Sequence, residues 1–444
     1  MNKLLIYTEQ TSPRLVYTFN LLLKDLLGLQ YELTSAKEQF REHEGPKFSY
    51  STSSLQDELH FASVPFLFET DIKYQPINFI DWEDLVGFFP VFSESAVPFD
   101  VFATAFFMVS RYEEYLPHQK DKYDRYRASQ SLNLKAGVLE KPIVNYYAKA
   151  IQKLLATRFP ELVFKTIPFR YNVTFDIDIA YSYRGKGIKR TMGGLARSLL
   201  FSQFAEAGER IKTLLHKSSD PYDTYDFILE VCRQHNLSPL FFFLLGNESR
   251  FDKNLSHNSS ALQQLIKRIG KDYETGIHLS YRSHVASHIG KRELTRLENI
   301  TGHSVSKNRY HYLRFQLPDT YERLFKLGIT DDYSMGYAPH VGFRAGLCTP
   351  FKFFNLKRNE ESLLTIHPIS FMDTTFTHYY NTDTQFALEK IRHLMNNVKT
   401  CGGDFTGLWH NNSFTEKNEW KGWREIFELI ASEASAIMHN TEQV

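Results

Sequence analysis

The chain is poor in cysteine and has no long apolar run. Of its 444 residues only three are cysteines, Cys232, Cys348 and Cys401, and their wide spacing gives neither a zinc knuckle nor a disulfide framework. No apolar run reaches the roughly 20 residues that cross a bilayer, so we expect no membrane span. The apolar stretch before Glu9 is too short for a signal peptide, and we therefore expect a cytoplasmic protein.

Neither sign of charge dominates. The 52 lysines and arginines stand against 51 aspartates and glutamates, so no overall field favours a nucleic acid or a membrane surface as partner. The basic segment 184–217 is interpreted as a solvated excursion rather than an anion-binding lip. Hydrophobic residues make up 42% and aromatic residues 15% of the chain, which predicts a large core and suits flat, neutral ligands such as sugars.

The first third of the chain predicts a mixed α/β domain, to which the sequence assigns no function. Ser12 and Pro13 provide the N-cap and the first position of a helix that Gly28 ends. The other expected elements are strands at 4–7, 31–33, 48–52 and 61–68 and helices at 101–115 and 141–157. We place a boundary near residue 165, which divides the chain into domains 1–165 and 166–444.

Strand and helix periodicities alternate through the second domain, and no glycine-rich phosphate loop follows any strand. The seven predicted strands cover residues 170–176, 240–245, 273–278, 305–311, 329–333, 363–367 and 405–410. Seven strands with helices between them favour a closed α/β barrel over an open doubly wound sheet. The carboxyl ends of barrel strands share one face, and active sites lie on that face.

The stretch 174–178, Thr-Phe-Asp-Ile-Asp, is the strongest single signal for a site. On an extended backbone Asp176 and Asp178 point to the same side, and two adjacent carboxylates are costly unless a cation or a proton lies between them. Other strand ends carry His278, Arg309, His311, Asp331, Asp332, His367 and His410. Because these residue types build metal and acid–base sites, their repetition at strand ends predicts a catalytic centre.

Five motifs, in order, resemble those of the NodB-homology polysaccharide deacetylases, the fourth family of carbohydrate esterases. They are Thr-Phe-Asp-Ile-Asp at 174–178, Gly-Ile-His-Leu-Ser-Tyr at 276–281, Arg-Tyr-His at 309–311, Asp-Tyr-Ser at 332–334 and Leu-Thr-Ile-His at 364–367. The chain as a whole resembles two-domain polysaccharide deacetylase-like proteins of Bacteroidetes, whose leading domain is uncharacterised. The resemblance implies a distorted (β/α) barrel and metal-dependent hydrolysis.

The resemblance also implies a role for each matching residue. Asp176 would be the general base, tethered by Arg309, and His367 the general acid, oriented by Asp332. Asp178 and His278 would bind a divalent metal, which we expect to be zinc, with cobalt or nickel as alternatives. The expected substrate contacts are Tyr281, His311, Tyr333, Arg344 and His410.

Two motifs depart from the family pattern: the third has His311 where the family has a proline, and the second lacks a histidine. The second histidine of the family's metal motif is replaced by Arg282, which cannot bind a metal. His284 is the candidate third ligand; Ser280, or a site short of one protein ligand, remains open.

The expected activity is hydrolysis of a linear amide, namely N-deacetylation of an amino sugar in a saccharide, oligosaccharide or glycoconjugate. The third motif of the family has a proline after its arginine, and His311 stands in that place here. This pattern is closer to allantoinase-like C–N hydrolases, some of which are metal-free. Because Arg282 replaces the family's second histidine, a third hypothesis stays open, namely a carbohydrate-binding barrel without catalytic activity. No nucleic acid partner is expected, and neither the exact substrate nor the oligomeric state follows from the sequence.

Overall fold

We analysed a computed structural model of the chain, which describes residues 3–442. The predicted domains 1–165 and 166–444 also include residues 1, 2, 443 and 444, which lie outside this range. The described chain contains two larger sheets, one of four strands within residues 3–62 and one of nine strands within residues 169–410. Within residues 3–442, no helix has the length and apolar character needed to span a bilayer.

The four-stranded sheet is parallel, with strand order β2-β1-β3-β4. Its strands are β1 (Lys3–Thr8), β2 (Gln30–Thr34), β3 (Lys47–Ser51) and β4 (Leu59–Ala62), and a separate antiparallel pair comprises β5 (Ile80–Trp82) and β6 (Leu85–Gly87). The helices of this part are α1 (Pro13–Phe19), α2 (Lys37–Glu42), α3 (Val101–Val109), α4 (Leu132–Lys135) and α5 (Ile143–Arg158). This part is therefore mixed α/β.

Local sequence explains where the first helix begins and ends. The Ser12 hydroxyl accepts the N–H of Leu15 at 3.0 Å, and Pro13 fills the first helical position. The helix continues as a π-helical segment and ends at Gly28, whose φ is +72°. A side chain at position 28 would also lie 2.6 Å from Cβ of Lys165, so both the conformation and the space require glycine.

The second predicted helix is shorter than the sequence suggests. α3 ends at Val109, and Arg111 takes a left-handed φ of 54°. That turn buries the Arg111 side chain, whose Nε donates to Oε1 of Glu114 at 2.8 Å. Glu114 in turn accepts Nη2 of Arg344 at 2.6 Å, so a buried ion cluster joins the two parts of the chain. The predicted helix 101–115 is therefore too long at its C-terminal end, because the turn at Arg111 ends the helix and buries the charged side chains that follow.

The nine-stranded sheet contains all seven strands predicted for the second domain, at adjusted bounds. They are β7 (Phe169–Ile177), β8 (Leu240–Leu244), β9 (Glu274–Leu279), β10 (Lys307–Tyr310), β11 (Asp331–Asp332), β13 (Glu360–Ile366) and β15 (Gly403–His410); β12 (Phe351–Asn355) and β14 (Phe371–Met372) are additional. Around the sheet lie α6 (Gly187–Leu200), α7 (Phe204–Leu214), α8 (Tyr225–Gln234), α9 (Ser260–Gly270), α10 (Ser287–Thr301), α11 (Asp319–Lys326), α12 (Thr384–Cys401) and α13 (Trp423–Glu442).

The strand order is β12-β13-β11-β10-β9-β8-β7-β15-β14, and all neighbours are parallel except β12 and β13. The paired strands of the described chain leave β12 and β14 as edges, so they do not form the predicted closed barrel of seven strands. The segment between β13 and β14 links the loop after β11 to β15. The N–H of Ile369 donates to Met335 O at 3.0 Å, and the N–H of Ser370 donates to Thr406 O on β15 at 2.9 Å.

The remaining helical pieces are short. The 3₁₀ turns cover Pro65–Phe68, Tyr112–Glu114, Ala128–Gln130, His311–Leu313, Asn411–Phe414 and Asn418–Trp420, and π-helical segments cover Asn20–Leu26 and Thr375–Tyr380.

One contiguous apolar core runs through both parts of the chain. Tyr17 of α1 packs its ring 5.0 Å from that of Phe354 on β12, and its hydroxyl donates to Lys352 O at 2.7 Å. The N-terminal part therefore packs directly on an edge strand of the large sheet, which shields that edge from pairing with another chain.

Candidate active site

Three potential metal ligands meet at the carboxyl ends of three strands. Asp178 follows β7, His278 lies on β9 and His311 follows β10, and their ligand atoms lie within 4.8 Å of one another. The Nε2 atom of His278 is 3.2 Å from Oδ1 of Asp178, and Nε2 of His311 is 3.4 Å from Oδ2. Two imidazoles and one carboxylate are the donor types of a catalytic zinc site.

Hydrogen bonds on the outer side fix both imidazoles. Nδ1 of His278 is 2.8 Å from Arg309 O, and Nδ1 of His311 is 2.9 Å from Oδ1 of Asp252. These partners turn both Nε2 atoms toward Asp178, as outer partners do for metal-binding histidines. Oδ1 of Asp178 is buried without a hydrogen-bond donor among the described residues. The donor set thus fits a divalent cation.

The charges of this cluster are strongly coupled. Burial acts to raise the pKa of Asp178, but the neighbouring His311 and His278 outweigh it and hold that pKa well below its usual range. Burial acts to lower the pKa of His311, but Asp178 and Asp252 raise it to about 10.

Asp176 lies beside this cluster, as the sequence suggests. Its Oδ1 accepts Nη1 of Arg309 at 2.8 Å, and its Oδ2 is 3.6 Å from Nε2 of His278. Arg309 is itself held by donation from Nε to Tyr333 O at 2.8 Å. One oxygen of Asp176 is therefore fixed by an arginine, and the other faces the candidate metal site.

A second acid–base pair lies at the end of β15, the strand that pairs with β7. His410, at the end of β15, places Nε2 3.7 Å from Oδ2 of Asp178, and its Nδ1 is 2.7 Å from Oδ1 of Asp373. Asp373 also accepts the His410 N–H at 2.7 Å and the Ser413 hydroxyl at 2.5 Å. Burial acts to lower the pKa of His410, but Asp373 and, beyond it, Asp178 and Asp176 raise that pKa to about 9.

The structure corrects the predicted acid, His367. Its Nε2 is 2.8 Å from Oδ1 of Asp331, its ring stacks 4.1 Å from that of Tyr333, and it does not line the cavity. The predicted partner Asp332 points to the opposite side of its strand, where it accepts Asn308 Nδ2 at 2.8 Å. Because neighbouring residues on a strand face opposite sides, Asp331 and not Asp332 contacts His367.

The structure also corrects the third ligand. His284 is buried in the loop after β9, with Nε2 3.6 Å from Oδ2 of Asp124 and Arg314 beside the same carboxylate. Burial and then Arg314 lower the pKa of His284 to about 4. His284 therefore lies outside the ligand cluster, and His311, predicted as a substrate contact, takes the third place.

Three predicted substrate contacts are used in packing. Tyr281 stacks on Phe251 at 4.0 Å, and Tyr333 stacks on His367; neither lines the cavity that holds Asp178. Arg344 pairs with Glu114 and lines a neighbouring cavity instead.

The ligand cluster Asp178, His278 and His311 lies in a cavity of about 460 Å³. A second cavity of about 470 Å³ adjoins it, and both share Lys122, Tyr123, Arg125, Leu313, Ala338 and Tyr379. Arg125 donates to Tyr312 O at 2.9 Å and pairs with Asp121 at 2.7 Å, which fixes the N-terminal segment against the large sheet. Residues 122–125 of the first third therefore form a wall of the site.

Two functional residues escaped the sequence analysis. Asp373 follows the two-residue strand β14, which is too short to show a period, and Asp252 lies in a loop with no motif. A signal for Asp373 existed in Phe-Met-Asp, an apolar pair ended by a carboxylate, the same pattern that singled out Asp176.

One protein family matches the first third of the chain. Residues 4–160 match a protein family described as a family of unknown function (DUF7033). No curated protein matches the chain.

Solved structures resemble about three fifths of the chain. A family 4 carbohydrate esterase from Streptomyces lividans shows 10% identity over 62% of this chain and 90% of that one, with a TM-score of 0.30. A polysaccharide deacetylase from Bacillus cereus shows 12% identity over 62% and 89%, with a TM-score of 0.29. An allantoinase shows 11% identity over 62% and 91%, with a TM-score of 0.38. At such identities and TM-scores the likeness assigns this chain neither an activity nor a ligand.

Proposed function

We propose that the protein is a metal-dependent hydrolase of linear amides that removes the N-acetyl group of an amino sugar in a saccharide or glycoconjugate. The observation that carries this proposal is one cavity that brings together the ligand cluster Asp178, His278 and His311, the carboxylate Asp176 beside it, and His410 close to Asp178. Amide hydrolysis needs an activated water, a base and an acid, and these groups supply each.

The two imidazoles and Asp178 would hold the metal, with zinc favoured by the donor set and cobalt or nickel as alternatives. When bound, a divalent metal polarises an amide carbonyl and lowers the pKa of a water ligand. The protein's own outer contacts, Arg309 O and Asp252, fix the imidazoles before any metal arrives.

The protein's own groups move the protons. Asp176 accepts the proton of the attacking water, and Arg309 holds its carboxylate in place at 2.8 Å. His410 donates a proton to the departing amine nitrogen, which leaves poorly as an anion. Asp373 holds Nδ1 of His410, so that the proton for transfer is on Nε2, the atom that faces the cluster.

An amino sugar fits the remainder of the cavity. Tyr123, Tyr312 and Tyr379 line it, and aromatic faces pack against the apolar faces of sugar rings. The adjoining second cavity leaves room for further sugar units. His311 in the ligand cluster replaces the histidine lost at Arg282, which counts against both a silent barrel and a metal-free enzyme.

The test is acetate release from a panel of N-acetylated amino sugars, from monosaccharides to oligosaccharides, by the full chain with added zinc, cobalt or nickel. We expect equal amounts of acetate and free amine, and loss of both in Asp176→Asn. Hydrolysis of ureides such as allantoin without acetate release would replace this proposal with the allantoinase-like one. Saccharide binding without turnover by the metal-loaded protein would show a silent barrel.

A further inference from the structure

The helix pair α6 and α7 exposes an unusual number of large apolar side chains. Nineteen such side chains are exposed within the described chain, and nine of them lie between residues 188 and 215. They are Ile188, Met192, Leu199, Leu200, Phe201, Phe204, Ile211, Leu214 and Leu215, with exposed fractions from 37% to 84%. We call residues 187–215 the apolar hairpin. A cluster of this kind on a folded protein marks an interaction surface.

The exposed residues follow the helical repeat. Ile188, Met192 and Leu199 recur at spacings of four and seven in α6, so they form one stripe. Phe204, Ile211 and Leu215 recur at seven and four and form a second stripe along and just beyond α7. Such stripes normally face a core, but here they face solvent.

The opposite face of the hairpin is the one that packs on the protein. A side chain at Gly194 would lie 2.3 Å from Nη1 of Arg210, so the helices touch there. Arg210 also lies over the Tyr183 ring at 4.7 Å, and Arg190 pairs with Glu248 at 3.4 Å. The protein thus holds the hairpin by its polar face, which leaves the apolar stripes free for a partner.

The hairpin region is also the basic part of the chain. Residues 184–217 contain eight lysines and arginines against two glutamates, a net charge of +6, whereas the whole chain carries +1. The sequence favoured a solvated excursion, but a solvated excursion does not explain nine exposed apolar side chains. Apolar stripes flanked by cations are the pattern of helices that lie in the interface of a bilayer.

The hairpin is attached at the rim of the candidate active site. Ile179, before it, and Tyr222, after it, both line the cavity that holds Asp178. Both ends of the hairpin therefore lead, within about eight residues, to side chains that line this cavity.

We propose that the apolar hairpin docks on the surface of a membrane rich in anionic lipids, with its apolar side chains between the acyl chains and its exposed cations, Lys189, Arg197 and Lys212, among the headgroups. Charge complementarity selects this occupant. A second copy of the chain would bring the exposed cations Lys189, Arg197 and Lys212 of one hairpin against those of another, and a nucleic acid would leave the apolar stripes unused. The inference stands whether or not the proposed deacetylase activity is correct.

The test is co-sedimentation of the full-length protein with vesicles. Phosphatidylcholine vesicles are compared with an equal mixture of phosphatidylcholine and phosphatidylglycerol. We expect binding to the anionic vesicles only, and weaker binding as the salt concentration rises. The triple variant Ile188→Ser, Met192→Ser, Leu199→Ser should lower the partition coefficient at least tenfold. The double variant Lys189→Glu, Lys212→Glu should lower it by about fivefold or more for each cation removed.

Matched control variants carry the same changes elsewhere. Phe92, Val163 and Leu363 are exposed apolar residues outside the hairpin, and the corresponding triple serine variant should bind vesicles like the parent protein. Lys37→Glu with Lys399→Glu is the charge control. Circular dichroism establishes that every variant folds.

Two results would overturn the proposal. The first is a parent protein that stays in the supernatant with anionic vesicles at low salt; if it also self-associates and the serine triple variant dissociates it, the hairpin joins two copies of the chain. The second is a serine triple variant that binds as well as its control.

Discussion

Nδ1 of His410 lies 2.7 Å from Oδ1 of Asp373, and the backbone N–H of His410 donates to the other oxygen of the same carboxylate at 2.7 Å. Asp373 thus fixes both the ring and the backbone of the residue that we propose as general acid. His410→Gln should keep bound metal and KM but lower kcat by about 10²–10⁴-fold, the usual contribution of a positioned acid. Asp373→Asn should act in the same direction.

His367→Gln is the control for this prediction. Both histidines end a strand, but His367 contacts Asp331 outside the cavity, so its variant should keep most of the activity. A large loss of kcat in His367→Gln, with activity kept in His410→Gln, would show that His367 and not His410 is the general acid.

Metal binding separates the two candidates for the third ligand. His311→Ala and His278→Ala should lose stoichiometric zinc, whereas His284→Ala should retain it because His284 lies beside Asp124. Asp252→Asn should weaken zinc binding about 10–100-fold through the orientation of His311. Metal analysis after dialysis measures all four, and zinc retained in His311→Ala would contradict the ligand set.

The roles of the two aspartates can be separated in the same way. Asp178→Ala should lose metal and activity together. Asp176→Asn should keep metal and substrate binding and lower kcat by about 10²–10⁴-fold. Isothermal titration with zinc, together with steady-state kinetics, distinguishes the two; parent-like turnover in Asp176→Asn would remove Asp176 as the base.

Glu293 should make stability fall as pH rises. Burial raises its pKa from the ordinary 4.5 to about 7, while Ser280 donates to both its oxygens. Between these pH values the folded protein holds a proton that the unfolded chain releases, so the contribution of Glu293 to stability is present below pH 4.5 and lost as pH approaches 7. Glu293→Gln keeps the contacts with Ser280 and removes this dependence.

Urea unfolding at several pH values measures the effect. The free energy of unfolding of the parent protein, minus that of Glu293→Gln, should decrease between pH 4.5 and 7. The exposed Glu428→Gln should show no such slope, and a flat difference for Glu293→Gln would contradict the prediction.

The buried ion cluster between the two parts of the chain predicts a stability effect. Glu114→Gln leaves the buried guanidinium groups of Arg111 and Arg344 without their shared carboxylate. Removal of one partner of a buried ion pair usually costs about 3–5 kcal/mol. Chemical denaturation measures the loss, and Glu230→Gln, in an exposed pair with Arg233, should leave the stability nearly unchanged.

Strand periodicity was enough to find the core of the site but not its second half. Asp176 and Asp178 share a side because alternate residues of a strand do, and His278 ends a strand two places away in the sheet. Nothing local distinguishes His367 from His410. The sheet order does: β15 pairs with β7 so that His410 aligns with Asp176, whereas four strands, β11, β10, β9 and β8, lie between β13 and β7.

Loop geometry set the other limits. The choice between His284 and His311 depends on how residues 280–286 fold, and Asp124, far away in sequence, attracts His284. The closed barrel was expected because seven strands were counted. The chain instead adds β12 as an antiparallel edge, and this edge is covered by α1 of the N-terminal part.

The wall of the cavity that contains Lys122, Tyr123 and Arg125 comes from the first third of the chain, whereas every proposed ligand, base and acid comes from the remainder. Under the proposed function, the groups that react and part of the surface that contacts the substrate come from different stretches of the chain. On the same basis, we expect substitutions in residues 121–129 to change which saccharide is accepted while the proposed ligands, base and acid stay in place.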